Sequence, residues 1–185
     1  MSLVENNQDN RPLFYIIAGE VSGDMIGAGV MKSLKKLTSG KVSFAGVGGV
    51  HMSSEGLESL FPIEELSILG IFELVPKIPK LLKRISETVH DILIRNPCAV
   101  ITIDSKGFTF RVAKQIARKQ NKKIKKIKLI HIVAPTVWAY RPGRAKKTAK
   151  IFDHLLTLFP FETAYFIPHG LKTSFVGHPA LEVKE

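Results

Sequence analysis

The chain has 185 residues, of which 45% are hydrophobic, enough to bury one core but not two full-sized domains. It carries 27 Lys and Arg against 16 Asp and Glu, a formal net charge of +11, which favours anionic partners. A single cysteine, Cys98, excludes a disulfide within the chain and fits a reducing compartment. No signal peptide and no apolar stretch of eighteen residues is present, so we expect a cytoplasmic protein that touches a membrane only from outside.

Short apolar runs alternate with amphipathic segments after a polar start, residues 1–12, that we expect to be flexible. Strands are predicted at 13–18, 42–47, 98–103, 128–133, 154–159 and 174–177. Helices are predicted at 23–37, 78–94, 108–119 and 144–151, with a helical turn at 161–166. Strands that are apolar on both faces and alternate with helices indicate an α/β protein with a Rossmann-like parallel sheet and helices on both faces.

In such a sheet, functional residues gather in the loops that follow the carboxyl ends of the strands. "GEVSGD" after the first strand contains Glu20, Ser22 and Asp24, which could bind an anion or a sugar hydroxyl, or could form only a tight turn and a helix cap. Asp104 ends the apolar run "CAVITI". A partly desolvated carboxylate there suits a general base, although it could equally cap the next helix.

Two further stretches are candidates for ligand contact. "APTVWAYRPGR" includes Trp138 and Arg141, and this combination suits sugar stacking and phosphate binding, or else a packed cover over the sheet edge. The six histidines are scattered without metal-ligand spacing, so we expect no metal. The absence of G-x-G-x-x-G argues against a nicotinamide-binding Rossmann protein, and we expect no cofactor.

An apolar segment and a lysine-rich segment suggest contact with lipid. The apolar residues Ile68, Leu69, Ile71, Phe72, Leu74 and Val75 precede a basic helix, so they could meet acyl chains or a bilayer, or could cover the core. The lysine-rich stretch 114–128 has no aromatic residue to stack on bases, so we expect no nucleic-acid partner, while an anionic phospholipid surface remains open.

Several of these stretches together resemble the lipid-A-disaccharide synthase family of bacterial glycosyltransferases. They are "AGEVSGDMIGAGVMKSLK", "FAGVGGVHMSSEGLESLF", "ELSILGIFELV", "HIVAPTVWAYRPGRAKK", "LFPFE" and "FVGHPALE", in family order and spacing. The resemblance implies the N-terminal domain of a GT-B glycosyltransferase. It also implies transfer from UDP-2,3-diacylglucosamine to 2,3-diacylglucosamine 1-phosphate with inversion, releasing UDP, at the inner face of the inner membrane.

The same resemblance implies roles for particular residues. Asp104 falls on the family's aspartate and would be the base, while Glu20, Ser22 and Asp24 fall on the neighbouring loop, where they would contact the acceptor or orient the site. The family motif reads Asp, a small residue, Pro, an acidic residue, Phe and Asn. Here Lys106, Gly107 and Thr109 replace its proline, acidic residue and asparagine. This departure raises the question of how the loop is held.

Family members are about twice this length, so the resemblance implies one half of the enzyme. We expect residues 13–177 to form the acceptor-side domain and 178–185 to begin a linker, with the donor domain absent. A C-terminal half or a second copy would then be the partner, and the isolated chain would turn over slowly or not at all. The alternative is a non-catalytic remnant that binds membrane or acceptor.

Overall fold

One parallel sheet organises the molecule. The computed structural model describes residues 11–66, 74–105, 107–120, 127–138 and 143–178, with the backbone alone described for 74–77. The strands are β1 Leu13–Ala18, β2 Ser43–Val47, β3 Ala99–Ile103, β4 Lys128–Ile132, β5 His154–Thr157 and β6 Lys172–Phe175. Their order across the sheet is β2-β1-β3-β4-β5-β6, and all neighbouring strands are parallel. The predicted Rossmann-like fold is confirmed.

The helices follow the predicted pattern with shifted boundaries. They are α1 Val21–Leu37, α2 Val50–Ser54, α3 Leu74–Arg95, α4 Thr109–Lys119 and α5 Gly143–Ala149. Short 3₁₀ helices span Ile63–Leu66, Pro160–Tyr165 and Ile167–His169. Helix α2 was not predicted, and α3 begins four residues before its predicted start at residue 78. Pro76 falls in the first turn of α3, where the backbone N–H has no helical partner, although Pro79 lies inside the helix.

Side chains alternate between two helix layers along the strands. Tyr15 and Ile17 of β1 belong to the core cluster that α3, α4 and α5 complete, whereas Ile16 and Ala18 belong to the cluster with α1 and α2. All five residues of β3 are buried. Leu82 of α3 points away from the core and is 51% exposed. Because Ala18 pairs with Ile103, the loops after β1 and β3 leave the sheet side by side.

A buried tyrosine ties β1 to α3. Tyr15 is fully buried, and its hydroxyl donates a hydrogen bond to Asp91 Oδ2 at 2.9 Å. Burial, reinforced by the Asp91 charge, raises the pKa of Tyr15 well above its ordinary value, so the hydroxyl stays protonated. Asp91 also accepts from Arg95 Nε at 2.9 Å and keeps that partner if the tyrosine hydroxyl is removed.

Tyr15→Phe is expected to lower the free energy of unfolding by about 1–2 kcal/mol, because it deletes a hydrogen bond to a charged group. Urea unfolding at neutral pH measures this difference. Tyr165→Phe is the matched control. Tyr165 is 42% exposed, so loss of its hydroxyl should lower the free energy of unfolding less than loss of the buried Tyr15 hydroxyl. Equal effects of the two substitutions would show that the Tyr15–Asp91 contact does not stabilise the fold.

Candidate functional site

Asp104 lies at the carboxyl end of β3 in a rare backbone conformation. It is half-buried, and both Asp104 and Ser105 have positive φ, 45° and 47°. Its N–H donates to the Ile132 carbonyl at 3.1 Å. Helix α4 has Phe108 as N-cap and no side-chain cap, and no described residue donates a hydrogen bond to the Asp104 carboxylate. The carboxylate therefore does not cap α4, and no described side chain or N–H occupies its oxygens.

The loops after β1 and β3 contact each other directly. A Cβ built on Gly19 would overlap the Ser105 side chain, so only glycine permits this approach. Glu20 and Ser22 follow Gly19 and are exposed. Glu20 is the N-cap of α1 and Ser22 lies in its first turn, so both are close to the loop that follows β3. Their contact with substrate stays a prediction.

Asp24 performs a structural task. It is 2% exposed, and its carboxylate accepts hydrogen bonds from the N–H groups of Gly49 at 2.7 Å, His51 at 2.9 Å and Met52 at 3.1 Å. These groups form the start of α2, so the carboxylate of α1 caps another helix. Both carboxylate oxygens of Asp24 accept backbone hydrogen bonds in this buried position, which fits the orienting role among the two that the resemblance implies. Its contact with the acceptor stays a prediction.

Trp138 joins an exposed aromatic cluster beyond β4 and β5. Its ring centroid lies 5.0 Å from that of Phe161 and 6.1 Å from that of Tyr165, and Phe161 stacks on Phe159 at 5.9 Å. Trp138 is 37% exposed and Phe161 is 50% exposed. The cluster therefore presents aromatic faces at the same sheet edge as Asp104. Arg141, predicted beside Trp138, lies outside the described residues.

Glu162 is a buried carboxylate at this edge that the sequence analysis did not single out. It is 3% exposed, and its Oε2 accepts from the N–H groups of Leu158 at 3.1 Å and Phe159 at 3.0 Å. Burial raises the pKa of Glu162, and the two backbone hydrogen bonds only partly oppose this. The signal for this role is Phe-Pro-Phe-Glu, with proline opening the short helix that Glu162 caps.

Glu162→Gln is expected to remove a pH-dependent loss of stability. The folded state holds the Glu162 proton more tightly than the unfolded state does. The free energy of unfolding of the wild type therefore falls as pH rises from about 4.5, the ordinary pKa of a glutamate, through the raised pKa of Glu162 in the folded state. Glutamine can still accept both N–H bonds but does not titrate. Urea unfolding from pH 4 to 7 should show the variant gaining on wild type as pH rises. Glu58→Gln, at an exposed carboxylate, is the matched control. A constant difference across this range would contradict the prediction.

The apolar segment proposed for lipid contact lies mostly outside the described residues. Ile68, Leu69, Ile71 and Phe72 fall there, and Leu74 and Val75 begin α3. Residues before and after the segment contact each other. Arg84 of α3 donates hydrogen bonds to Glu65 at 2.7 and 2.9 Å, and the Arg84 guanidinium lies 4.7 Å from the centre of the Phe61 ring. These contacts fasten the 3₁₀ helix Ile63–Leu66 to α3.

The described ranges contain neither a metal-binding cluster nor a helix that could cross a membrane. No group of three or more His, Cys, Asp or Glu side chains there could hold a metal ion. No helix among the residues searched combines the length and apolar character that crossing a bilayer requires.

Comparisons with known proteins match this chain to one family. The family described as lipid-A-disaccharide synthetase matches residues 14–185. The lipid-A-disaccharide synthase of Rhodospirillum centenum is 51% identical over 170 residues, covering 92% of this chain and 41% of that protein. The enzyme of Rickettsia canadensis is 49% identical over 169 residues, covering 91% of this chain and 42% of that protein. The chain therefore spans about two fifths of the length of these relatives.

A solved structure agrees on the fold. The UDP-GlcNAc 2-epimerase of Neisseria meningitidis, bound to UDP-GlcNAc, superposes with a TM-score of 0.56 over 90% of this chain and 45% of that chain. At 13% identity this likeness concerns the fold alone. The family match over nearly the whole chain and identities near one half decide the assignment, and the chain belongs to the lipid-A-disaccharide synthetase family.

Proposed function

We propose that this chain forms the acceptor-binding half of an inverting glycosyltransferase. The donor would be UDP-2,3-diacylglucosamine and the acceptor 2,3-diacylglucosamine 1-phosphate, giving a β-1,6-linked disaccharide 1-phosphate and UDP. Family membership supports the substrate class. The Asp104 carboxylate is the observation that carries the assignment of the chemistry to this half. It lies at the carboxyl end of β3, and no described residue donates a hydrogen bond to it.

Inversion requires a base on the acceptor side. As the acceptor 6-hydroxyl oxygen attacks C1 of the donor sugar, Asp104 takes the hydroxyl proton, the C1–O bond to UDP breaks, and UDP leaves with that electron pair. Glu20, the N-cap of α1, and Ser22, in its first turn, are exposed and would bind acceptor hydroxyls. Trp138 offers an aromatic face to a sugar ring, and Arg141 would bind the acceptor phosphate.

Both substrates carry acyl chains, so the protein would work at a membrane surface. The net charge of +11 suits an anionic phospholipid surface at the inner face of the inner membrane. Leu74 and Val75 at the start of α3, together with the apolar residues before them, would contact acyl chains. The donor site would come from a further domain of a longer protein or from a second chain, because the relatives are more than twice as long as the matched segment.

A hybrid enzyme tests this proposal. Residues 14–185 replace the matching segment of the Rhodospirillum centenum relative, which is 51% identical. UDP release is measured with both diacylated sugars, with each sugar alone, and with the 185-residue chain alone as a control. Release that requires both sugars supports the proposal. Acceptor binding without any release by the hybrid would instead identify a binding module that has lost catalysis.

A further inference from the structure

The backbone around Asp104 is costly to maintain. Asp104 and Ser105 are consecutive non-glycine residues with φ of 45° and 47°. A non-glycine residue has a higher conformational energy at positive φ than in the ordinary helical or extended regions. Such a conformation persists only where surrounding contacts hold it. The contacts that hold these two residues therefore decide where the Asp104 side chain points.

Thr109 makes those contacts from inside the first turn of α4. It is fully buried, and its Oγ1 lies 2.6 Å from the Asp104 carbonyl oxygen and 2.9 Å from the Ser105 carbonyl oxygen. The hydroxyl donates its proton to these two acceptors, while the Asp104 N–H donates to Ile132 of β4. The backbone of Asp104 is thus held at its N–H by the sheet and at its carbonyl by Thr109.

Further contacts leave the loop little freedom. The Ser105 carbonyl also accepts from the N–H groups of Phe108 at 3.1 Å and Thr109 at 3.0 Å. On the opposite side, the Ser105 side chain lies so close to Gly19 that no Cβ fits between them. A shift of the Asp104 peptide would break hydrogen bonds on one side or collide with the β1 loop on the other.

We propose that Thr109 is a positioning residue for the glycosyl transfer, whose hydroxyl fixes the Asp104 backbone so that the carboxylate faces the acceptor hydroxyl. This inference rests on the proposed function of Asp104. Thr109 touches no substrate in this role, because it is fully buried and acts only through Asp104. The hydroxyl is the essential group, so serine should replace threonine and valine should not.

Two substitutions of nearly equal shape test the hydroxyl in the hybrid enzyme. Thr109→Val should lower kcat by about tenfold to a hundredfold, the loss expected when a reacting group is misplaced, with KM for the acceptor little changed. Thr109→Ser keeps the donor and should retain most of the activity. The decisive variant is Asp104→Asn with Thr109→Val, which should be no slower than Asp104→Asn alone, because both changes act through one group.

The outcomes separate this inference from the function on which it rests. Wild-type activity in Asp104→Asn would overturn both. A slow Asp104→Asn with a fully active Thr109→Val, or a double variant much slower than Asp104→Asn, would overturn the role of Thr109 alone. If Thr109→Val does not fold, Gly19→Ala displaces Ser105 from the other side. The Gly19→Ala substitution should lower kcat of the otherwise wild-type enzyme but should not slow the Asp104→Asn enzyme further. An unchanged kcat in the Gly19→Ala enzyme would overturn the proposal.

Discussion

Asp104→Asn is expected to lower kcat of the hybrid enzyme by about a hundredfold to ten-thousandfold, the range that a positioned general base contributes. Asparagine keeps the size and the backbone contacts of Asp104 but cannot accept a proton. No described residue donates a hydrogen bond to the half-buried Asp104 side chain, so the substitution should leave folding intact. Steady-state UDP release at saturating donor and acceptor measures the loss, and KM for the acceptor should change little.

Glu58→Gln is the matched control for that experiment. It also converts a carboxylate to an amide, but Glu58 is exposed in the segment between α2 and the first 3₁₀ helix, which runs beside the edge strand β2 rather than β3. Its kcat should remain close to that of wild type. An Asp104→Asn enzyme as fast as the Glu58→Gln enzyme would remove Asp104 from the reaction and leave the base unassigned.

The architecture could be predicted because its signals are local. Apolar runs such as Leu13–Ala18 and Ala99–Ile103 are strands that are buried on both faces, and a single sequence shows them directly. The short helix α2 was missed because its stabilising carboxylate, Asp24, lies 25 to 28 residues earlier in the chain. The early start of α3 was missed because proline within a helical pattern usually marks a boundary.

The candidate site was predictable in part for the same reason. Asp104 could be found because an acidic residue at the end of a buried strand is visible in sequence. The positive φ of Asp104 and its hydrogen bond from Thr109 could not be found in the sequence. A threonine at the start of a helix can bond to several different backbone groups, so its type and position do not identify its partner. The departure at Lys106, Gly107 and Thr109 marked this loop as unusual, and the structure shows that Thr109 is among the residues that hold it. Whether Lys106 contributes lies outside the described residues.

Asp24→Ala is expected to lower the free energy of unfolding by about 3–4 kcal/mol, because three backbone N–H groups lose their acceptor in a largely buried position. Gly49 packs so closely on this carboxylate that a Cβ there would lie 2.7 Å from Asp24 Oδ2, so removal of the carboxylate also removes packing at the start of α2. Asp24→Asn keeps one acceptor oxygen and should lose less stability.

Ser22→Ala provides the comparison within the same loop. Ser22 is exposed, and a surface substitution of this kind usually changes stability by no more than about 0.5 kcal/mol. Urea unfolding of the three variants should therefore rank them Ser22→Ala, Asp24→Asn and Asp24→Ala in order of increasing loss. If Asp24→Ala unfolds like Ser22→Ala, the carboxylate does not hold α2. The position of Asp24 in the first turn of α1, beside the loop of Asp104, would then favour a direct contact with the acceptor.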